Sequence, residues 1–203
     1  MNQIDWKNEN SGHFEKHAEE HLQDVYPWLL RDFIDFTGLQ IAGRKILEIG
    51  CGPGFMLQQF SSDSPSLLTG VDASFSMLQR VAETRRAPEA FLVQADACSL
   101  PFAEATFDAV FSRGSVFFWA DLKAAFAGIS RCLKPGGQAL IGGGYGISTP
   151  QAIIEEIRKT KSGGKGGVPR LDPEHLAEIA SQAGGHAQIF QAPGRGFWVH
   201  WKL

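Results

Sequence analysis

The sequence predicts an α/β fold: a doubly wound, mostly parallel seven-stranded sheet with helices on both faces and one antiparallel strand at its C-terminal end. Three observations predict it. Short apolar runs alternate with longer amphipathic runs along 203 residues, the pattern of a parallel sheet covered on both sides. A glycine-rich turn joins the first apolar run to the helix after it. The last two apolar runs are joined by a link too short for a parallel crossover.

The elements follow in order. Residues 14–36 read as one or two helices, with a break near Tyr26-Pro27 because proline interrupts helical hydrogen bonding. Buried strands are expected at residues 45–49, 67–71, 90–94, 107–112 and 138–142, where apolar runs are short and continuous. Helices are expected at residues 54–60, 74–84, 122–132 and 150–159. Asp172 is a natural N-cap and Pro173 suits a first turn, so residues 173–183 read as a helix. Residues 186–191 and 196–202 read as two strands around the turn formers Ala192-Pro193-Gly194-Arg195.

Composition narrows the function classes. Hydrophobic residues are 43% and charged residues 20%, ordinary for a folded domain. The formal net charge of -3 lacks the footprint of a nucleic-acid binder. Arg85-Arg86 and the Arg158-Lys159-Lys161-Lys165 stretch read as solvated surface. No apolar run approaches the ~18 residues of a transmembrane helix. The polar N-terminus does not read as a secretory signal. Cys51, Cys98 and Cys132 are widely spaced, which fits a reducing cytoplasm. His13, His17 and His21 share one helical face. No Cys or acidic partner joins them, so a solvated or substrate-covering helix is expected there rather than a metal site.

The chemistry concentrates after the first strand. Lys45-Ile46-Leu47-Glu48-Ile49 runs into Gly50-Cys51-Gly52-Pro53-Gly54, with glycine at alternate positions. Glycine permits close approach of a ligand to the main chain. The spacing differs from the dinucleotide fingerprint Gly-x-Gly-x-x-Gly, and Glu48 would repel a pyrophosphate while favouring a sulfonium or an amino group. Asp72 ends the second strand about 20 residues beyond the turn, where such folds bind ribose hydroxyls. Ser74 is placed to cap the next helix. Asp96 follows the third strand, so Glu48, Asp72 and Asp96 stand at successive strand ends.

These segments resemble a known family. Leu47–Gly54, Gly70-Val71-Asp72-Ala73-Ser74, Ala95-Asp96-Ala97 with Leu100-Pro101-Phe102, Phe107-Asp108-Ala109-Val110 and Leu133-Lys134-Pro135-Gly136-Gly137 are similar to the successive motifs of class I, Rossmann-like S-adenosylmethionine-dependent methyltransferases of type 11. Ser112-Arg113-Gly114-Ser115-Val116-Phe117-Phe118-Trp119 and Ile141-Gly142-Gly143-Gly144-Tyr145-Gly146 resemble a small prokaryotic subgroup. The resemblance implies one domain over residues 1–203. Its parts would be a helical cap at 1–43, a cofactor-binding core at 44–142, and a substrate-side loop, helix and hairpin at 143–203.

It also implies roles. Gly50, Cys51, Gly52 and Gly54, with Glu48, would face the methionine and ribose of S-adenosylmethionine. Asp72 would hold the ribose, Ala73 and Met77 would flank the adenine, and Asp96 and Ala97 would contact its amino edge. Ser112 and Arg113 would meet the amino-acid end. Asp108 and residues 133–137 are expected to be structural.

The implied reaction moves a methyl group to a small molecule or protein side chain and leaves S-adenosylhomocysteine. The family has no universal catalytic residue. Candidates above the cofactor are His17, His21, Tyr26, Arg113 and Tyr145, with Phe117-Phe118-Trp119 as a wall for the substrate or as core. Residues 142–146 read as open backbone or a tight turn. The helices before the first strand and residues 162–167 are expected to close over the substrate, a permanent cap being the other reading of the helices. The expected partner is a small molecule, without nucleic acid or membrane, acting in a monomer or homodimer. The alternatives are a catalytically silent cofactor-binding partner protein and a dinucleotide-dependent oxidoreductase.

Overall fold

The computed structural model of the chain describes residues 23–160 and 169–203. A single turn of 3-10 helix at Gln23–Val25 leads into helix α1 (Tyr26–Thr37). Strand β1 (Lys45–Ile49), α2 (Phe55–Ser61), β2 (Leu67–Asp72), α3 (Phe75–Thr84) and β3 (Phe91–Gln94) form the first half. The second half is β4 (Phe107–Arg113), a 3-10 turn at Val116–Phe118, α4 (Leu122–Cys132), β5 (Leu133–Gly144), α5 (Gln151–Thr160), α6 (Pro173–Gln182), β6 (His186–Ala192) and β7 (Gly196–Lys202).

The seven strands lie in the order β3-β2-β1-β4-β5-β7-β6. Strands β1 to β5 pair in parallel. Strand β7 alone runs against both of its neighbours. The chain winds outward from β1 in one direction, then returns to the other side of β1 with β4. The ends of β1 and β4 therefore flank the switch point where such sheets hold ligands.

Both faces are covered. Phe33 of α1, Met56 and Phe60 of α2, Val81 of α3 and Ile154 of α5 are buried in one core. Phe126 and Ile129 of α4 and Leu176 and Ile179 of α6 fill the other. Asp172 caps α6 as expected, its side chain accepting from the Glu174 N–H.

The boundary expected near Tyr26-Pro27 falls where the 3-10 turn gives way to α1, and proline sits in the first turn of that helix, where its missing N–H has no helical partner to lose. Val25, Leu29 and Phe33 are buried, so α1 packs into the core. The rest of the predicted N-terminal helices, with His13, His17 and His21, lies outside the described residues, as do residues 162–167.

Several expectations need correction. Strand β5 begins at Leu133, not 138. Leu133 pairs with Phe107 and Gln138 with Ala109, so the Lys-Pro-Gly-Gly segment bulges within the ladder. Ser74 occupies the N-cap position of α3, yet its hydroxyl bonds Ser76 and makes no cap. Residues 142–144 are not open backbone. A Cβ on Gly142 would lie 2.2 Å from the Phe197 carbonyl oxygen of the antiparallel neighbour, so these glycines let β7 close on β5.

Candidate functional site

The glycine turn is clamped onto β2. The N–H groups of Gly50 and Cys51 both donate to the Val71 carbonyl, at 2.7 and 3.0 Å. Gly50 and Gly52 do different work, although both have positive φ. A Cβ on Gly50 would fall 2.2 Å from Ser115 Cβ, so Gly50 allows the loop after β4 to pack against the turn. A Cβ on Gly52 would meet nothing within 4 Å. Among the described residues the main chain at Gly52 thus faces free space, where a ligand can approach it.

The carboxyls predicted at the strand ends gather around this turn. Asp72 Oδ2 accepts from the Gly52 N–H and Oδ1 from the Ser74 N–H, both at 2.8 Å. Each oxygen keeps a lone pair for a further donor. Burial pushes the Asp72 carboxyl up, against the pull of the N–H groups of Ser74, Gly52 and Ala73. Glu48 is buried, 3% exposed, and its Oε2 has no hydrogen-bond partner among the described residues. Burial first, then the Asp72 charge, push Glu48 well above the usual carboxylate range, while the Leu57 N–H and Arg113 oppose them.

The other predicted contacts scatter along the same edge. Asp96 is exposed, and its Oδ1 accepts from the Cys98 N–H. Met77 and Ala97 are buried and Ala73 is exposed. Burial also raises the Cys51 thiol well above its usual range, so this cysteine stays a neutral packing group.

The end of β4 is organised by two networks. Ser112, fully buried, donates to Ser115 Oγ at 2.7 Å; Ser115 donates to the Ile49 carbonyl and accepts from Trp119 Nε1. The Ser112 hydroxyl is thereby used within the protein. Arg113 turns to the opposite face. Its Nε donates to the Gly144 carbonyl at 3.1 Å and its Nη1 to the Tyr26 hydroxyl at 3.4 Å.

Arg113 also starts a stack that sequence reasoning missed. Its guanidinium lies 5.3 Å from the Tyr26 ring centroid; Tyr26 stacks on Phe55 at 5.4 Å; the Arg86 guanidinium lies 4.2 Å over Phe55. Arg86 donates to the Pro53 carbonyl as well. The reading of Arg86 as solvated surface is therefore corrected: its charge is held by an aromatic face and the glycine turn. Burial raises the Tyr26 hydroxyl pKa, and Arg113 lowers it in part. Tyr145 is buried, with Arg158 over its ring at 5.9 Å. Phe117 packs edge-on against Phe197, and Trp119 against Phe126. Among the described residues no group of three or more His, Cys, Asp or Glu could hold a metal ion.

A doubly wound sheet with a glycine turn at its switch point and carboxyls at successive strand ends is the architecture of class I methyltransferases. The family described as methyltransferase domain matches residues 47–141 of this chain. A malonyl-[acyl-carrier protein] O-methyltransferase of Legionella pneumophila is 34% identical over 64% of this chain and 48% of its own length. The uncharacterized methyltransferase YdaC of Bacillus subtilis is 32% identical over 61% of this chain and 66% of its own. The chain thus spans less than two thirds of either relative. A solved structure from Methanococcus maripaludis, described as an S-adenosyl-L-methionine-dependent methyltransferase, superposes with a TM-score of 0.80 at 26% identity, covering 99% of this chain and 95% of that one.

The donor of this family carries a sulfonium and an ammonium. The residues present fit it. The unpartnered Glu48 oxygen and the raised Asp72 carboxyl are groups that a nearby cation relieves, and Gly52 leaves room against the main chain.

Proposed function

We propose that this chain transfers a methyl group from S-adenosylmethionine to a small-molecule nucleophile. The observation that carries this reading is the pairing of free space at Gly52 with two raised carboxyls, Glu48 and Asp72, at neighbouring strand ends. A pyrophosphate at this turn would meet those carboxyls, which disfavours a dinucleotide. The intact edge argues equally against a silent partner protein.

When bound, the donor supplies an electrophilic methyl carbon: the acceptor bonds to it as the carbon–sulfur bond breaks and its electrons stay on sulfur. The protein's part is to hold, orient and dry the reactants. Asp72, anchored by two backbone N–H groups, presents its remaining lone pairs to the ribose hydroxyls. Asp96, with one oxygen committed to Cys98, offers the other to the adenine amino group. Glu48 sets a negative field beneath the cationic end. The Arg113–Tyr26–Phe55 stack walls the turn from water. Tyr26 keeps its proton, because burial raises its pKa, so it donates hydrogen bonds and does not serve as a base. Arg113 only donates. An acceptor that begins protonated gives its proton to solvent or to a group beyond these residues.

Three free cysteines, two of them buried, accord with a reducing cytoplasm. No described helix is long and apolar enough to cross a membrane. Calorimetric titration with S-adenosylhomocysteine, NAD and NADP tests the cofactor. A labelled methyl donor incubated with cell extract tests the transfer. Binding of NAD without either sulfur ligand would reverse the reading; donor binding without any labelled product would favour the silent partner.

A further inference from the structure

Beyond the cofactor edge, one strand further along the sheet, lies a shallow pocket of about 410 Å³. Its floor is the main chain at Gly144, where β5 ends, and its walls are Phe117, Phe197, Pro169 and Leu171, with Arg170 at the rim. The size is in the range of small-molecule sites. Its position is at the C-terminal ends of β4 and β5, the edge on which doubly wound sheets carry their ligands. Gly144 links it to the cofactor side: its carbonyl accepts the Arg113 Nε hydrogen bond while its backbone lines the pocket.

The chemistry of the lining is one-sided. Phe117 and Phe197 meet edge to face with ring centroids 5.7 Å apart. A Cβ on Gly143 would overlap Phe117 at 2.5 Å, so the absence of side chains there is what lets the ring lie over the strand. In the β5–β7 ladder Gly143 pairs with Phe197 and Gly144 with Gly196, and the Gly144 carbonyl is taken by Arg113. Among the described residues no carboxylate lines the pocket. Arg170 is exposed and makes no hydrogen bond or ion pair among the described residues.

We infer that this pocket seats the methyl acceptor, and that the acceptor is a molecule with a flat apolar body and an anionic group, the body against the Phe117–Phe197 pair and the anion on Arg170. This rests on the methyltransferase reading above. Apolar walls favour an aromatic or alicyclic body. A guanidinium with its donors free matches a carboxylate or phosphate fork. A cationic acceptor would meet Arg170 with no acid to offset it.

The test uses the whole chain saturated with S-adenosylhomocysteine and three probes of one shape: naphthaleneacetate, naphthaleneethanol and naphthylmethylammonium, titrated calorimetrically. The anion is expected to bind tightest and the cation weakest. Arg170→Met keeps the apolar stem and removes the charge; it should weaken the anion roughly tenfold, as loss of a charged hydrogen bond does, and leave the alcohol unchanged. Phe197→Ala should weaken anion and alcohol together. Thermal unfolding of each variant checks that it is folded, and Arg170→Met carries the test if Phe197→Ala is not. Equal binding of the three probes, preference for the cation, or an Arg170→Met variant that binds the anion normally each overturn the inference. Failure of S-adenosylhomocysteine itself to bind is a separate result: it sinks the methyltransferase reading, whatever the naphthalene probes do.

Discussion

The two ends of the sheet treat carboxyls in opposite ways. At the C-terminal end, Glu48 and Asp72 are raised above their ordinary values by burial, and one Glu48 oxygen has no partner among the described residues. At the N-terminal end, Asp108 starts β4 with every need met. Its Oδ2 accepts from the Lys45 N–H and from Lys134 Nζ, both at 2.8 Å, and Arg44 lies 3.7 Å from Oδ1. Burial is the largest single influence and pushes Asp108 up, but the Lys134 and Lys45 hydrogen bonds and the Lys134 and Arg44 charges together bring it below the usual value. The same residue type on the same sheet is thus left wanting a cation at one end and supplied with two at the other. The lower end is finished for stability. The upper end keeps carboxyls whose charge a bound cation would offset, which is what a binding edge requires and a structural one does not.

The largest break in this contrast is at Asp72. Asp72→Ala removes the ribose acceptor and also releases the Gly52 and Ser74 N–H groups that the carboxylate holds. Charge-assisted hydrogen bonds contribute roughly 1.5–3 kcal/mol each, so affinity for S-adenosylhomocysteine should fall at least tenfold. The loss exceeds that of a residue merely facing a cleft, because the turn loses its clamp too. Asp72→Asn, which still accepts at one oxygen, should fall between. Calorimetric titration measures all three proteins. Normal binding by the alanine variant would remove Asp72 from the site.

Next in size is a pair of substitutions within the turn. Gly50→Ala puts a methyl 2.2 Å from Ser115 Cβ, in a backbone conformation that side chains avoid. Overlap and strain together should cost about 2–4 kcal/mol, visible as a lowered Tm. Gly52→Ala has room and bears only the conformational strain, about 1–2 kcal/mol. It should stay folded and lose cofactor affinity, since the new methyl projects where the ligand would lie. If the two variants lost stability equally, the division of labour between these glycines would be wrong.

How much of this was legible in the sequence follows from locality. The runs that became β1, α4 and β7 are bounded by residues whose local preferences agree with the fold, and their limits were readable to the residue. The carboxyls at the ends of β1, β2 and β3 were readable because a strand's last residue must lie at the sheet edge. What escaped depended on partners distant in the chain. Lys134-Pro135-Gly136-Gly137 has turn composition, and only the paired strand β4 shows that it bulges inside a longer strand. Three successive glycines looked open until β7 was placed against them. Arg86 looked solvated because its aromatic partner, Phe55, lies 31 positions earlier.

A pH series sharpens the contrast further. Glu48 holds its proton more tightly folded than unfolded. Below its ordinary value of 4.5 both states are protonated; as pH rises above 4.5 toward the raised value, ionisation increasingly opposes the fold. Glu48→Gln removes that opposition. The variant should gain Tm over the parent as pH climbs from about 4.5 to neutrality. It should also bind the cationic S-adenosylmethionine more weakly, having lost the negative field. A variant with the parent's pH profile would show that Glu48 is not the strained group.

The smallest effect is expected from Asp108, and its sign is opposite. Its folded pKa lies below the ordinary 3.8, so its contribution is present above 3.8 and is lost as pH falls through the folded value. Its side chain is 15% exposed, and Lys134 and Arg44 are 36% and 47% exposed, so solvent screens both ion pairs. Asp108→Asn keeps an acceptor for the Lys45 N–H and forfeits the charge. The loss should be about 1 kcal/mol at neutral pH, near the upper limit for partly exposed pairs, and should shrink in high salt and vanish in acid. Cofactor affinity should not change, because Asp108 lies at the opposite end of β4 from Arg113. Denaturant unfolding at neutral and acidic pH, with and without salt, reads the first two effects, and titration with S-adenosylhomocysteine reads the third. A drop in affinity with no drop in stability would invert the assignment of the two ends, making the paired end the functional one.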